Sequence, residues 1–154
     1  MWFFRRRRVA FTDGVIDLIP LDLYPPPEEM GFGENYDFMI VPHGRRKEAG
    51  RISVRLGESP CVYYFGHIGY HVDPPFQGRH FARRACSLLR PLMLRCGKRT
   101  VVITTDPDNW ASRRTCEGLG CVLERTNALV PEWIRSRWEI SRVKCRYIWR
   151  LTED

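Results

Sequence analysis

Near the middle of the chain, Gln77-Gly78-Arg79-His80-Phe81-Ala82 combines small side chains with cations at the expected start of a helix. The first turn of a helix carries backbone N–H groups with no intrahelical acceptor and a partial positive charge, and together these bind phosphate. Gly78 and Ala82 leave the backbone open to close approach, while Arg79, Arg83 and Arg84 add charge at the same end. The chemistry on offer is capture of a phosphate or pyrophosphate. Taken alone, a plain helix start with a solvated arginine face is the simpler reading.

The neighbouring elements decide whether such a cradle can be presented. Cys61 to Val72 is expected to be a strand; period two puts His67, Gly69 and His71 on one face and Ile68, Tyr70 and Val72 on the other. From Gln77 to Cys96, apolar residues at 81, 82, 85, 86, 89, 92, 93 and 96 predict an amphipathic helix of roughly five turns. Pro91 should kink it, and Gly97 sits where a left-handed cap is expected. Thr100–Thr105 is β-branched and suits a buried strand. Asp108 or Asn109 then caps a helix through Glu117, which Gly120 ends. A strand, a helix and a non-alternating second strand predict a parallel pair inside a mixed sheet.

On the N-terminal side, Val15–Ile19, Tyr36–Val41 and the alternating Arg51–Leu56 are expected strands, with turns at Pro42-His43-Gly44 and Gly57–Pro60. Tyr24 to Glu29 holds three consecutive prolines and cannot be a helix interior or a central strand. Cys121–Arg125 and Val143–Leu151 are the last two strands. The expectation is one domain over residues 1–154, with its ligand-binding core at about 62–124. Its fold class is α/β: a mixed, mostly antiparallel twisted sheet with helices on both faces.

Composition narrows the function classes. With 44% hydrophobic residues the chain carries enough apolar surface to bury a core, which excludes a disordered tail. The net charge is +7, almost all of it from arginine, since lysine occurs only at 47, 98 and 144. Such a field draws polyanions. Arg5-Arg6-Arg7-Arg8 resembles a nucleic-acid or membrane patch, but nucleic acid is the weaker reading because no interleaved aromatic–glycine signature accompanies it. The six cysteines form no C-x-x-C pair and no zinc-finger spacing, so no metal is expected and a reduced, cytoplasmic protein is. Cys86 and Cys96 fall on the apolar face of the long helix, where a free thiol acts as a small hydrophobe. No run approaches the roughly 18 apolar residues of a membrane span.

Residues 66–124 resemble the GNAT superfamily of N-acetyltransferases. Its pyrophosphate motif is arginine or glutamine, two free positions, glycine, one free position, then glycine or alanine; Gln77 and Ala82 match the ends, and His80 replaces the middle glycine. Its second motif is matched in order by Asn109, Ser112, Glu117, Leu119 and Gly120. Ser112 and Glu117 look like the branch that holds ribosomal-protein N-terminal acetyltransferases and many small-molecule enzymes. The resemblance implies acetyl-CoA as co-substrate. Backbone near Val72 would pair with the pantetheine arm, the Gln77-Gly78-Arg79-His80-Phe81-Ala82 backbone would hold the pyrophosphate, and Asn109 and Ser112 would contact the cofactor. A histidine at 80 costs little if its backbone stays helical.

The implied reaction is direct attack of a primary amine on the thioester, the acceptor being a small molecule, a protein N-terminus or a lysine. Such an amine is mostly charged at neutral pH, so a base is needed. His71, nearest the cradle, is the first candidate. The family's usual acid tyrosine falls at Cys116, which either serves as a weak acid or is a small packed residue. The family's two helices between the first strands do not fit between Ile19 and Tyr36, so the N-terminal helical region is shortened. The acceptor side is then open or completed by a second copy in a homodimer, bordered by Glu132, Trp133 and Trp138. The alternative function is a non-catalytic coenzyme A-binding module on a degenerate acetyltransferase fold.

Overall fold

Alternating and apolar segments pair in chain order. In a computed structural model describing residues 8–152, β1 (Phe11–Thr12), β2 (Ile16–Leu21), β3 (Asn35–Pro42), β4 (Gly50–Arg55) and β5 (Ile68–Val72) form an antiparallel meander. β6 (Thr100–Thr105) joins β5 in parallel, and β7 (Val122–Leu129) and β8 (Val143–Arg150) complete an eight-stranded sheet in the order β1-β2-β3-β4-β5-β6-β8-β7. The parallel junction aligns only Ile68 with Ile103, and beyond that pair the two strands part. The expected mixed, mostly antiparallel α/β sheet is found. Of the basic run, Arg5, Arg6 and Arg7 lie outside the described residues, and Arg8 is exposed.

Helices cover both faces. On one, α2 (Phe81–Arg95) and α3 (Trp110–Gly118) bury Ala85, Cys86, Leu89, Met93 and Cys116 against Ile16, Ile40, Ile52, Ile68, Ile103 and Tyr147. On the other, α1 (Pro60–Phe65), α4 (Glu132–Arg135) and a 3-10 turn at Glu28–Met30 share a second cluster of Met30, Phe32, Cys61, Val62, Val130 and Ile134. α2 runs on through Pro91 and ends at Gly97 (φ 86), with the Lys98 N–H donating to the Met93 carbonyl at 3.0 Å. Among the described residues no helix is long and apolar enough to cross a membrane.

Two expectations change. Cys61–Phe65 is not strand but the helix α1. The Val62 N–H donates to Ser59 Oγ at 3.1 Å, Pro60 supplies a preset φ in the first turn, and Gly66 (φ 81) stops it. A short apolar run does not distinguish buried helix from buried strand; the cap does. Cys96 is exposed because it caps the end of α2 instead of facing the core, whereas Cys86 is fully buried as expected. Between β2 and β3 there is one 3-10 turn and no α-helix, as the short, proline-rich segment dictated.

Candidate active site

The helix expected from Gln77 begins four residues later. Pro74–Phe76 forms a 3-10 turn, and both Gly78 (φ 82) and His80 (φ 61) are left-handed. His80 is the only non-glycine residue with positive φ among those described, so its backbone is not helical. This corrects the expectation that histidine is nearly free of cost there. The left-handed conformation costs a non-glycine residue about 1–2 kcal/mol, and an unfolded glycine has about 0.5–1 kcal/mol of extra entropy to lose. His80→Gly is therefore expected to stabilise the protein by about 0.5–1 kcal/mol, read as a higher urea midpoint with an unchanged slope.

The left-handed turn sets the N-terminus of α2 against a cleft of about 510 Å³. No side chain caps this end, which leaves the first-turn N–H groups for an anion. The cleft gathers Val72, Gln77, Gly78, His80, Phe81, Ala82, Asn109 and Ser112, which is every expected cofactor residue except Arg79. Arg79 instead lies 5.9 Å from the centre of the Phe76 ring, and Arg83 and Arg114 are the cations that line the cleft. The Gln77 amide donates to the Val72 carbonyl at 3.0 Å and ties the cradle to β5.

Where β5 and β6 part, a second cavity of about 610 Å³ opens, lined by Gly69, Thr104, Asp106, Glu139, Ser141 and Lys144 among others. It shares three lining residues with the cleft: Tyr70, Asn109 and Ser112. Asn109 caps α3 by accepting the Ser112 N–H at 3.2 Å, which fixes Ser112 in the first turn. The Tyr70 hydroxyl reaches across to within 2.8 Å of Ser112 Oγ. Asp106 is committed to Lys144 Nζ at 2.8 Å and to the Ser141 hydroxyl. Burial raises its pKa, but those hydrogen bonds and the lysine charge outweigh burial and hold it below the usual carboxylate range. Glu139 is exposed and in no ion pair among the described residues, so its carboxylate is free to meet a ligand.

The expected catalytic residues fall apart. His71 is exposed, with Nε2 3.8 Å from Asp73; it borders the cofactor cleft and does not line the second cavity. Alternation puts it on the same strand face as Gly69, but its side chain projects to solvent beside Asp73. Cys116 is wholly buried beside Tyr70 and Cys121, which suits the packed role left open for it. Trp138 packs against the second cluster, while Glu132 and Trp133 do not line the second cavity. Sequence reasoning missed Tyr70 and Glu139. A tyrosine on a core-facing register needs a partner for its hydroxyl, and that was the one available signal for Tyr70.

His67 is a structural clamp. Its Nδ1 accepts the Val102 N–H at 2.9 Å, so Nε2 carries the proton and donates to Glu58 Oε1 at 2.6 Å. Lys98 Nζ meets the same oxygen at 2.6 Å. Burial holds the imidazole below its ordinary pKa despite the pull of Glu58. Below about pH 6.5 the unfolded chain takes up a proton that the folded ring resists, so stability declines as pH falls through that window. Thermal melts between about pH 8 and pH 5 should show this decline, and His67→Gln should flatten it.

Solved structures share this architecture. A candidate acetyltransferase from T. thermophilus superposes with a TM-score of 0.61 at 22% identity, covering 96% of this chain and 90% of that one. RimL, the ribosomal L7/L12 α-N-protein acetyltransferase, gives 0.56 at 22% identity over 78% of this chain and 72% of its own. The microcin C7 self-immunity acetyltransferase MccE, solved with acetyl-CoA and AMP, gives 0.55 at 22% identity over 75% of this chain; this chain spans 61% of its length. At these identities the likeness is one of fold. No curated protein matches the sequence. The family model of the acetyltransferase (GNAT) domain matches residues 26–122, well over half of the chain. With that match and the two-motif cleft together, the chain belongs to the GNAT acetyltransferase family.

Proposed function

We propose that the protein moves an acetyl group from acetyl-CoA to a primary amine, the two substrates meeting at the wall formed by Tyr70, Asn109 and Ser112. One observation carries the reading: a cleft built on an uncapped helix N-terminus and a second cavity with a free carboxylate share only those three residues. The first-turn amides of α2 with Arg83 and Arg114 fit a pyrophosphate, and β5 fits the pantetheine arm beside Val72. RimL and MccE, which share the fold, are named for acetyl transfer, and MccE was solved with acetyl-CoA.

Chain residues divide the proton work. An amine with a pKa of about 10.4 must lose a proton, at roughly 4.6 kcal/mol near neutrality, before it can attack. Glu139 holds the ammonium in the second cavity and passes its proton to solvent. The neutral nitrogen then attacks the thioester carbonyl carbon, and the C–S electron pair leaves on sulfur. Ser112, on the shared wall, gives sulfur its proton. The leaving thiol, with a pKa of about 8.5, needs little help.

The acceptor side is rich in carboxylates, of which Glu58 is already paired with Lys98, and Arg55 lies over Gly69. A groove of about 880 Å³ beside Pro25–Pro27 is lined by Asp22, Glu28, Asp37 and Glu58 and by no lysine or arginine. The cross-strand row Asp37–Ser53–Gly69 leads from it to the second cavity. A protein N-terminus, a lysine or a small-molecule amine all answer to this chemistry. All six cysteines are free, which supports a reducing, cytoplasmic setting. Calorimetry with acetyl-CoA tests the reading first, with micromolar binding expected; no binding at millimolar cofactor overturns it. Thiol release over a panel of amines then separates an enzyme from a non-catalytic binder.

A further inference from the structure

We infer that Tyr70 is the positioning residue of this site: its hydroxyl donates to Ser112 Oγ and so turns the serine's own proton into the cleft, toward the leaving sulfur. The inference rests on the acetyl-transfer reading above. A serine hydroxyl has one proton and rotates freely, so the partner of its oxygen decides where that proton points. Tyr70 also has one proton and two serine oxygens in reach, Oγ at 2.8 Å and the Ser112 carbonyl at 3.4 Å. The first is an ordinary O–H···O length at which either hydroxyl can donate, and the shared proton is assigned to the phenol. Burial pushes the Tyr70 phenol well above its usual pKa, so it keeps the proton this assignment requires.

Both ends of this bond are held. Tyr70 is central in β5, packed against the main core, and Ser112 is fixed in α3 by the Asn109 cap. Ser112 and Cys116 lie one turn apart on the same face of α3, and the Tyr70 hydroxyl adjoins both. The small thiol at 116 leaves the place beside Ser112 to a phenol delivered from β5. In the reaction a C–N bond forms, the C–S bond breaks with its electron pair on sulfur, and sulfur takes the Ser112 proton. Ser112 regains the proton that nitrogen sheds as the amide forms. One proton moves from nitrogen to sulfur, and Tyr70 keeps its own.

A double-mutant cycle on the full chain tests this. Tyr70→Phe keeps the ring and removes the hydroxyl; kcat should fall about tenfold, the size of one well-made hydrogen bond, with the KM for acetyl-CoA unchanged. Ser112→Ala should lose about a hundredfold. Tyr70→Phe/Ser112→Ala should be no slower than Ser112→Ala, because the phenol then has nothing to orient. In Ser112→Thr, which keeps a hydroxyl, Tyr70→Phe should again cost about tenfold. A merely packed Tyr70 would cost every background alike, so multiplicative losses overturn the inference. So does a Tyr70→Phe protein with wild-type kcat. Thermal melts and acetyl-CoA calorimetry on each variant show that fold and cofactor binding persist. A wild-type protein that binds no acetyl-CoA refutes the acetyl-transfer reading itself, and calorimetry alone reveals that failure.

Discussion

Glu139→Gln is expected to lower kcat/KM for the amine by about 10²–10³-fold and to leave the KM for acetyl-CoA unchanged. The size follows from what the carboxylate does. It lines the second cavity with no competing partner among the described residues, whereas Asp106 in the same cavity is neutralised by Lys144 and Ser141. An ammonium there finds one free negative charge, and glutamine supplies neither the charge nor a place for the proton. The roughly 4.6 kcal/mol needed to free the lone pair then falls on solvent alone. The cofactor cleft does not include Glu139, so acetyl-CoA binding should be untouched. Initial-rate kinetics with both substrates varied give the answer: a loss below fivefold, or a loss confined to the acetyl-CoA term, sinks the assignment. His71→Ala is the matched control. Its exposed ring lies on the cofactor side, so the amine kcat/KM should stay within about twofold.

The contrast between Glu139 and the cofactor residues shows what a sequence can disclose. The cradle at 77–82 and the Asn109 cap are local: each rests on contacts within a few residues, so residue type and spacing are enough to locate them. The strands β2, β3, β4, β6 and β8 are legible for the same reason, since alternation or a β-branched run fixes them. Tyr70 is half-legible. Its register on the cofactor-facing side follows from alternation, but the partner that gives it meaning, Ser112, is 42 residues away. Glu139 gives no sequence signal, because its place depends on the path of the connection between α4 and β8. His80 misleads for a different reason: a motif records where glycine is usual, and the left-handed backbone that makes it usual is visible only in φ. The same limit applies to His67 and His71. Alternation groups them on one face, yet one is clamped between Val102 and Glu58 and the other points to solvent.

Gly50→Ala is expected to destabilise the protein by about 2–4 kcal/mol and to weaken acetyl-CoA binding about tenfold. Gly50 opens β4 and pairs with Val72, the β5 residue that borders the cofactor cleft. A Cβ on Gly50 would sit 2.2 Å from the His71 carbonyl oxygen and 3.0 Å from Val72 Cα. These are backbone atoms, so no side chain can swing aside. Relief requires the end of β5 to move, and little holds it from the other side, where β6 aligns only at Ile68. The movement breaks the Gly50–Val72 pairing and strains the adjoining bond from the Asp73 N–H to the Ala49 carbonyl at 2.7 Å. Val72 would shift with it, and so would Gln77, whose amide is tied to the Val72 carbonyl. Stability and cofactor affinity should therefore fall together. Gly78→Ala separates space from conformation: nothing lies within 4 Å of its Cβ, and only its φ of 82 is costly. That variant should lose about 1–2 kcal/mol through the backbone alone. Urea unfolding and acetyl-CoA calorimetry on the two alanine variants decide the matter. A Gly50→Ala protein within about 0.5 kcal/mol of wild type would show that β5 yields freely at the cleft.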